Sequence, residues 1–505
     1  MTTNELIKEI RGESWWSEEA PAVPLFCMWM QEFVNQSKYW HPKMPNIIFC
    51  FIKKDFVYEE TPESQKLKIW HYVWRQYLRL PSIQHSRYRL WQKIVKELAQ
   101  EGNNFIGQKR TMSDHQLAKS LERFSFLVKE HWRITWVHES ADVFTTEELP
   151  LLLIKDLPHI SADKLNDLAF TLAAPHQHSF MEEAHQDLLK LVIKWYSVIR
   201  KSPSLGKAGS SLQSAVADYT EHYIWLHSNY RAGVSLSKDY VWRELKRKCK
   251  AQSKHQLRQD LNKLITKVAR IKAAQVELYR SIGLSDKFKK AFQLLSFWSA
   301  WTDERKRAAL IADWYLEAYA KEIAKRLGMS IWQVKYLTAP EAITALLGGK
   351  RPGVGELKKR RRLALFLTVK SGSRVIDQVI TGRKAQILWR AMFPPKKSSQ
   401  IKGQVAWAPV KQIQGVVQIV FNPHTEKFKK GRILVTTMTR PDFVPIMRKA
   451  KAIICDEGGI TSHAAIISRE LGIPCIIGTK NATKVLKNGN YIKIDVKNGI
   501  IKKVK

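Results

Sequence analysis

Residues 458–469 read Gly458-Gly459-Ile460-Thr461-Ser462-His463-Ala464-Ala465-Ile466-Ile467-Ser468-Arg469, which sets one histidine between a glycine pair and the start of an apolar helix. A histidine that holds a phosphoryl group on a ring nitrogen needs open backbone beside it, because the tetrahedral group fills the space of a side chain. Gly458 and Gly459 supply that room and tolerate positive φ. The hydroxyls of Thr461 and Ser462 can donate to phosphoryl oxygens, and the N–H groups at the start of the following helix favour negative charge. The segment reads as an anion cradle with a nucleophile, His463, inside it.

The residues around it predict a small α/β unit. Short β-rich runs recur at 404–410, 416–421, 433–436, 452–455, 474–477, 491–495 and 500–504, bounded by Gly, Pro and Asn. Arg440-Pro441-Asp442 reads as a turn into a short helix over 443–447. The His463 helix should end at Leu471, stopped by Gly472. Arg469 lies six positions beyond His463, and 3.6 residues per turn carries it well around the helix. A role at the phosphoryl site and a structural ion pair or cap are both open for it. Arg440 and Thr436 are second-rank candidates.

Gly458-Gly459, Thr461, His463, the small pair Ala464-Ala465, the aliphatic pair Ile466-Ile467, Ser468 and Arg469 together resemble the signature of the mobile phosphohistidine domain of phosphoenolpyruvate-utilising enzymes. The likeness runs on through Glu470-Leu471-Gly472-Ile473-Pro474-Cys475-Ile476-Ile477-Gly478. It implies a swivelling β/β/α fold over 403–505, with His463 the phosphorylated residue. Cys455 departs from the family's pattern, standing where many relatives carry Thr before the acidic pair Asp456-Glu457.

Residues 1–393 read as mainly helical, giving a multidomain chain with a subdomain break near 202–206 and small β elements near 46–58 and 363–380. Helices are predicted over 65–79, 84–101, 113–139, 161–173, 179–201, 205–228, 250–282 and 284–327. Capping boxes mark two further starts, Ser330 with Gln333 and Thr338 with Glu341. Residues 394–402, beginning with the solvated Pro394–Ser399 stretch, read as the hinge. Gly348–Gly355 with its basic exit, Lys358–Arg362, lacks the Gly-Lys-Ser/Thr ending of a Walker loop and reads as a turn. Tyr223–Leu226 with Asn229-Tyr230, Asp303–Lys306 and Ile323–Glu341 resemble the helical region before the mobile domain in phosphoenolpyruvate synthase-like and rifampicin phosphotransferase-like proteins. In those enzymes that region holds or covers the acceptor.

At 505 residues and 45% apolar content the chain can build several cores. With 84 Lys and Arg against 46 Asp and Glu, the formal charge of +38 favours anionic partners. Five scattered cysteines, 27, 50, 249, 455 and 475, show no metal spacing and fit a reduced cytoplasmic setting. The N-terminus carries no signal pattern, and the run 149–154, broken by Pro150, is too short to span a bilayer. His176, His178 and His185 near Glu182 are a metal hypothesis, although their Pro-His-Gln-His-Ser setting reads as a loop entering a helix. No metal site is expected on the chain.

The resemblance implies a phosphoryl carrier that relays phosphate through His463. No ATP-grasp pattern and no barrel domain with acidic ligands is legible, so ATP or phosphoenolpyruvate, with Mg2+, is expected at a partner's site. A separate ATP-grasp or nucleotide-binding subunit and a small-molecule acceptor would complete the system. The alternatives are a phosphohistidine switch that alters docking and, least favoured, a basic nucleic-acid-binding protein.

Overall fold

The computed structural model describes residues 1–26, 47–135, 171–371, 374–394, 400–421, 426–439, 443–458 and 462–504, with isolated positions between them. The described residues form two compact units, one from 1–81 and 352–505 and the other from 82–135 and 171–351. The second unit is thus inserted in the chain of the first.

The first unit holds a five-stranded antiparallel sheet. Its strands are β1 (Trp15–Pro21), β2 (Ile47–Lys53), β3 (Phe56–Pro62), β4 (Ala364–Ser371) and β5 (Arg374–Thr381), in the order β1-β3-β2-β4-β5. The stretch 46–58, read as one strand-like element, is a hairpin. Lys54 and Asp55 form its two-residue turn with φ of 52° and 64°, the double positive φ that matches strand twist in such a loop. The two β elements near 46–58 and 363–380 meet directly, Phe51 opposite Leu365. Helices Thr3–Gly12 and Gly382–Met392 cover one face, burying Leu6, Ile10, Ala385 and Leu388 against Phe49, Phe51 and Leu365.

The remainder of this unit is an eight-stranded mixed sheet: β6 (Gln400–Lys402), β7 (Gln404–Trp407), β8 (Gln412–Ile419), β9 (Ile433–Thr436), β10 (Ala452–Cys455), β11 (Cys475–Ile477), β12 (Tyr491–Asp495) and β13 (Ile500–Lys503). The order is β6-β13-β12-β8-β9-β10-β11-β7, with β8 to β11 mutually parallel. Parallel strands are buried on both faces, and the alternation follows. Ile433, Val435, Ile454 and Ile476 enter one core, whereas Leu434, Ile453, Cys455 and Cys475 enter the other, under the His463–Leu471 helix. Gly472 ends that helix at φ +67°, as its sequence predicts. One expectation changes here. Residues 400–402 of the hinge are strand β6, paired with β13, because Ile401 is needed in the core beside Ile501. Residues 395–399 lie outside the described residues.

The second unit is helical. Its longest helix, Asp286–Leu327, starts after Ser285 and stops at Gly328 with φ +60°. Tyr319 stacks on Phe105 with ring centroids 3.7 Å apart and shares a 2.7 Å hydrogen bond with Ser120. Tyr315 lies flat over Gly102, where any Cβ would meet its ring at 2.5 Å. Both capping boxes at Ser330 and Thr338 form. The turn at 202–206 separates no subdomains, since Ile199 before it and Ala208 and Leu212 after it share one core. Helix Lys238–Ala251 is an addition to the predicted set; it buries Val241, Trp242, Leu245 and Cys249 beneath an otherwise basic surface. In the first unit, the basic exit after Gly353 is also a helix, Val354–Arg362, which turns Leu357 and Arg360 inward.

Asp303 accepts the Phe180 N–H at 2.8 Å. Its burial pushes the carboxyl from 3.8 up to about 6, against the opposing pull of that N–H, Lys306 and Arg307. The folded chain therefore keeps this proton to higher pH than the unfolded chain. The group's contribution is full below pH 4 and falls as pH rises through 6, by about 3 kcal/mol. Denaturant unfolding of the native chain and Asp303→Asn at pH 4 and pH 7 should reveal it. The variant, which keeps an acceptor for Phe180, should gain about 3 kcal/mol relative to the native chain at the higher pH.

Candidate functional site

His463 is the first residue of its helix, and Ser462 is the N-cap, its Oγ accepting the Ala465 N–H at 3.4 Å. The preceding loop leaves β10 alongside the extension of β9. The Asp456 N–H donates to the Thr436 carbonyl at 3.1 Å and the Glu457 N–H to the Thr437 carbonyl at 2.8 Å. This extra pairing carries Thr439, 24 residues away in sequence, to the imidazole. Thr439 Oγ1 lies 2.9 Å from His463 Nδ1. The histidine is half-buried and Thr439 is buried, so one ring nitrogen is held by the protein at a surface loop.

Gly458 has φ +107°, and a Cβ on it would stand 2.8 Å from both Cβ and Oγ of Ser462. The space beside it is taken by the capping side chain of Ser462, so a glycine is what admits the tight loop there. Ser462 likewise faces its own helix as a cap. Gly459, Thr461 and Arg440 lie outside the described residues.

The model of the family described as "PEP-utilising enzyme, mobile domain" matches residues 428–499. Residues 428–499 are a mobile domain of this kind. The phosphoenolpyruvate synthase of Pyrococcus furiosus is 58% identical over 90 residues, which is 18% of this chain and 11% of that protein. The "probable phosphoenolpyruvate synthase" of Staphylothermus marinus is 56% identical over 90 residues, 17% and 11% of the two chains. The phosphoenolpyruvate synthase of Aeropyrum pernix is 43% identical over 114 residues, 21% and 14%. The chain thus spans little more than a tenth of the length of these relatives. Among solved structures, the holo-form of Thermococcus kodakaraensis aconitase X aligns over 21% of this chain and 100% of that one, at 19% identity and a TM-score of 0.18, a likeness too slight to bear on the fold.

Two second-rank residues of the mobile domain make contacts within it. Arg469 donates from Nη2 to the Ala406 carbonyl on β7 at 3.3 Å, tying the helix to the sheet edge. The buried Thr436 hydroxyl donates to the Met438 carbonyl at 3.2 Å, closing the turn that leads to Thr439. Cys455 is fully buried, and its thiol is pushed up chiefly by desolvation. Asp456 is buried as well. It accepts from Thr479 Oγ1 at 2.8 Å and from the N–H of Thr483 at 3.2 Å, as well as from the Thr483 hydroxyl.

His176, His178 and His185 do not converge on one point. His176 Nε2 meets Gln275, His178 Nδ1 lies 3.6 Å from Glu182, and His185 Nε2 lies 3.0 Å from the Lys248 ammonium. Burial, with Lys248 adding to it, holds His185 neutral, down at about 4. No group of three or more His, Cys, Asp or Glu among the described residues is arranged to hold a metal. No described helix is long and apolar enough to cross a membrane.

Thr439 is the site residue absent from the sequence reading. Nothing local marks it, since it is one of three threonines in Thr436-Thr437-Met438-Thr439. Only the register of β9 against β10 selects it.

Proposed function

We propose that the chain is the phosphoryl-carrier component of a phosphotransferase, with His463 as the residue that takes and delivers phosphate. The observation that carries this reading is the 2.9 Å contact between Thr439 Oγ1 and His463 Nδ1 at a helix start. With the Nδ1–H donating to the threonine oxygen, the nucleophilic lone pair sits on Nε2. Nε2 attacks phosphorus, the N–P bond forms as the bond to the donor's leaving oxygen breaks, and the oxygen departs with its electron pair. Covalent relay divides one transfer between distant sites into two displacements. Positioning and neutralisation of phosphoryl charge supply the catalysis, the helix N-terminus contributing here.

In this proposal the donor is ATP or phosphoenolpyruvate bound on a separate ATP-grasp or nucleotide-binding partner, and Mg2+ comes with the donor. The helical unit receives a small-molecule acceptor. Incubation with γ- and β-labelled ATP or labelled phosphoenolpyruvate, with and without fractions of the cell's own lysate, should give acid-labile, alkali-stable label that His463→Ala abolishes. No label under any of these conditions would overturn the relay. A chase separates relay from switch: a relay passes the label to a small molecule, and a switch retains it.

Thr439→Val removes the hydroxyl at constant volume. It should slow labelling by roughly 10- to 100-fold, because the ring loses both orientation and tautomer. Thr439→Ser should recover most of the rate. Equal rates for all three chains would detach Thr439 from the chemistry.

A further inference from the structure

Among the described residues, rings and a lysine join the mobile domain to the five-stranded sheet of its own unit. The Lys484 ammonium lies 4.9 Å from the Phe393 ring centroid and 5.6 Å from that of Tyr58. Phe421, two residues past the end of β8, meets Phe56 edge to face with centroids 4.9 Å apart. We propose that Phe56, Tyr58 and Phe393 form a docking station on the five-stranded sheet for the mobile domain of the same chain, received through Lys484 and Phe421.

The two sides differ in how they are built. The station is rigid: Tyr58 and Phe393 pack against Trp389 at 4.9 and 4.3 Å, and Phe393 rests at 5.7 Å on Phe51, which is fully buried. The incoming side is a surface. Lys484 is exposed and Phe421 is only half-buried, as is Phe56, which meets it from the station. Cation–ring contacts at exposed sites are weak, as are single edge-to-face pairs. A tether raises the effective concentration of the domain at the station to the millimolar range, so weak contacts suffice to hold it and still release it. Core packing would have buried these side chains.

The short helix that carries Lys484, Ala482–Val485, is wired to the histidine loop. Asp456 holds Thr483, next to Lys484, through the Thr483 N–H, and two residues later the chain reaches Gly458. Docking through Lys484 and presentation of His463 therefore depend on one buried carboxylate. The inference rests on the carrier reading for its purpose, since a carrier needs a place to wait between transfers, but the contact itself can be measured without phosphate.

Spin labels at Lys54→Cys and Lys487→Cys in a Cys27→Ser chain report the separation, the four other cysteines being buried. Double electron–electron resonance on the full chain should give one narrow, short distance. Lys484→Ala/Phe421→Ala should move at least half of the population to a broad, longer distribution, and Phe56→Ala, from the other side, should do the same. The same narrow distance in all chains, a shift from one side only, or no narrow population in the parent would overturn the station. His463→Ala should dock as the parent does, so failure of the phosphoryl reading leaves this result standing.

Discussion

Gly458→Ala is expected to reduce the phosphorylation rate of His463 by 100-fold or more while the rest of the chain stays folded. A side chain at φ +107° is strained by roughly 1–3 kcal/mol. The new Cβ also stands 2.8 Å from the Ser462 side chain, which cannot retreat without giving up the cap on the His463 helix. A lost cap adds about 1 kcal/mol. The loop must therefore move, and a displacement of about 1 Å at a reacting atom costs on the order of 100-fold. Gly472→Ala is the control. It also sits at positive φ, +67°, but in open space, so it should cost about 1–2 kcal/mol of stability and leave the labelling rate within a few-fold. Equal behaviour of the two variants in labelling and thermal unfolding would show that the tightness of the Gly458 loop is irrelevant.

Asp456→Ala should be the most destabilising single substitution in the mobile domain, by about 4 kcal/mol. The carboxyl is 4% exposed, and its removal leaves the Thr483 hydroxyl and N–H without the acceptor they share and takes from the Thr479 hydroxyl one of its two acceptors, the Cys455 carbonyl remaining. Each buried group left unsatisfied costs roughly 1–3 kcal/mol. The loss should appear first between 475 and 496, where hydrogen exchange should rise while the helical unit keeps its protection. Asp456→Asn keeps one acceptor and should lose about half as much. A loss under 1 kcal/mol for the alanine variant would mean that this network is solvated in solution.

How much of this was legible follows the range of the interactions. The mobile domain's strands 433–436, 452–455 and 491–495 and its helix 463–471 match residue for residue, because each is a short apolar run closed by a local glycine or polar turn. The long helix ending at Gly328 was equally local. The five-stranded sheet was legible only as separate pieces, since pairing β2 with β4 joins residues over 300 positions apart and no local pattern encodes that register. The same limit applies to the site. His463 announces itself by its neighbours, but Thr439 is selected by strand register, and the true neighbour of Gly458, Ser462, is visible only once the loop is folded.

The most direct test of the account is phosphorus NMR of the labelled, intact protein, with the phosphopeptide located by mass spectrometry. The account predicts one phosphoramidate resonance, from phosphate on Nε2 of His463, absent in His463→Ala. A phosphoryl group on Nδ1, on any other residue, or persisting in His463→Ala would contradict it.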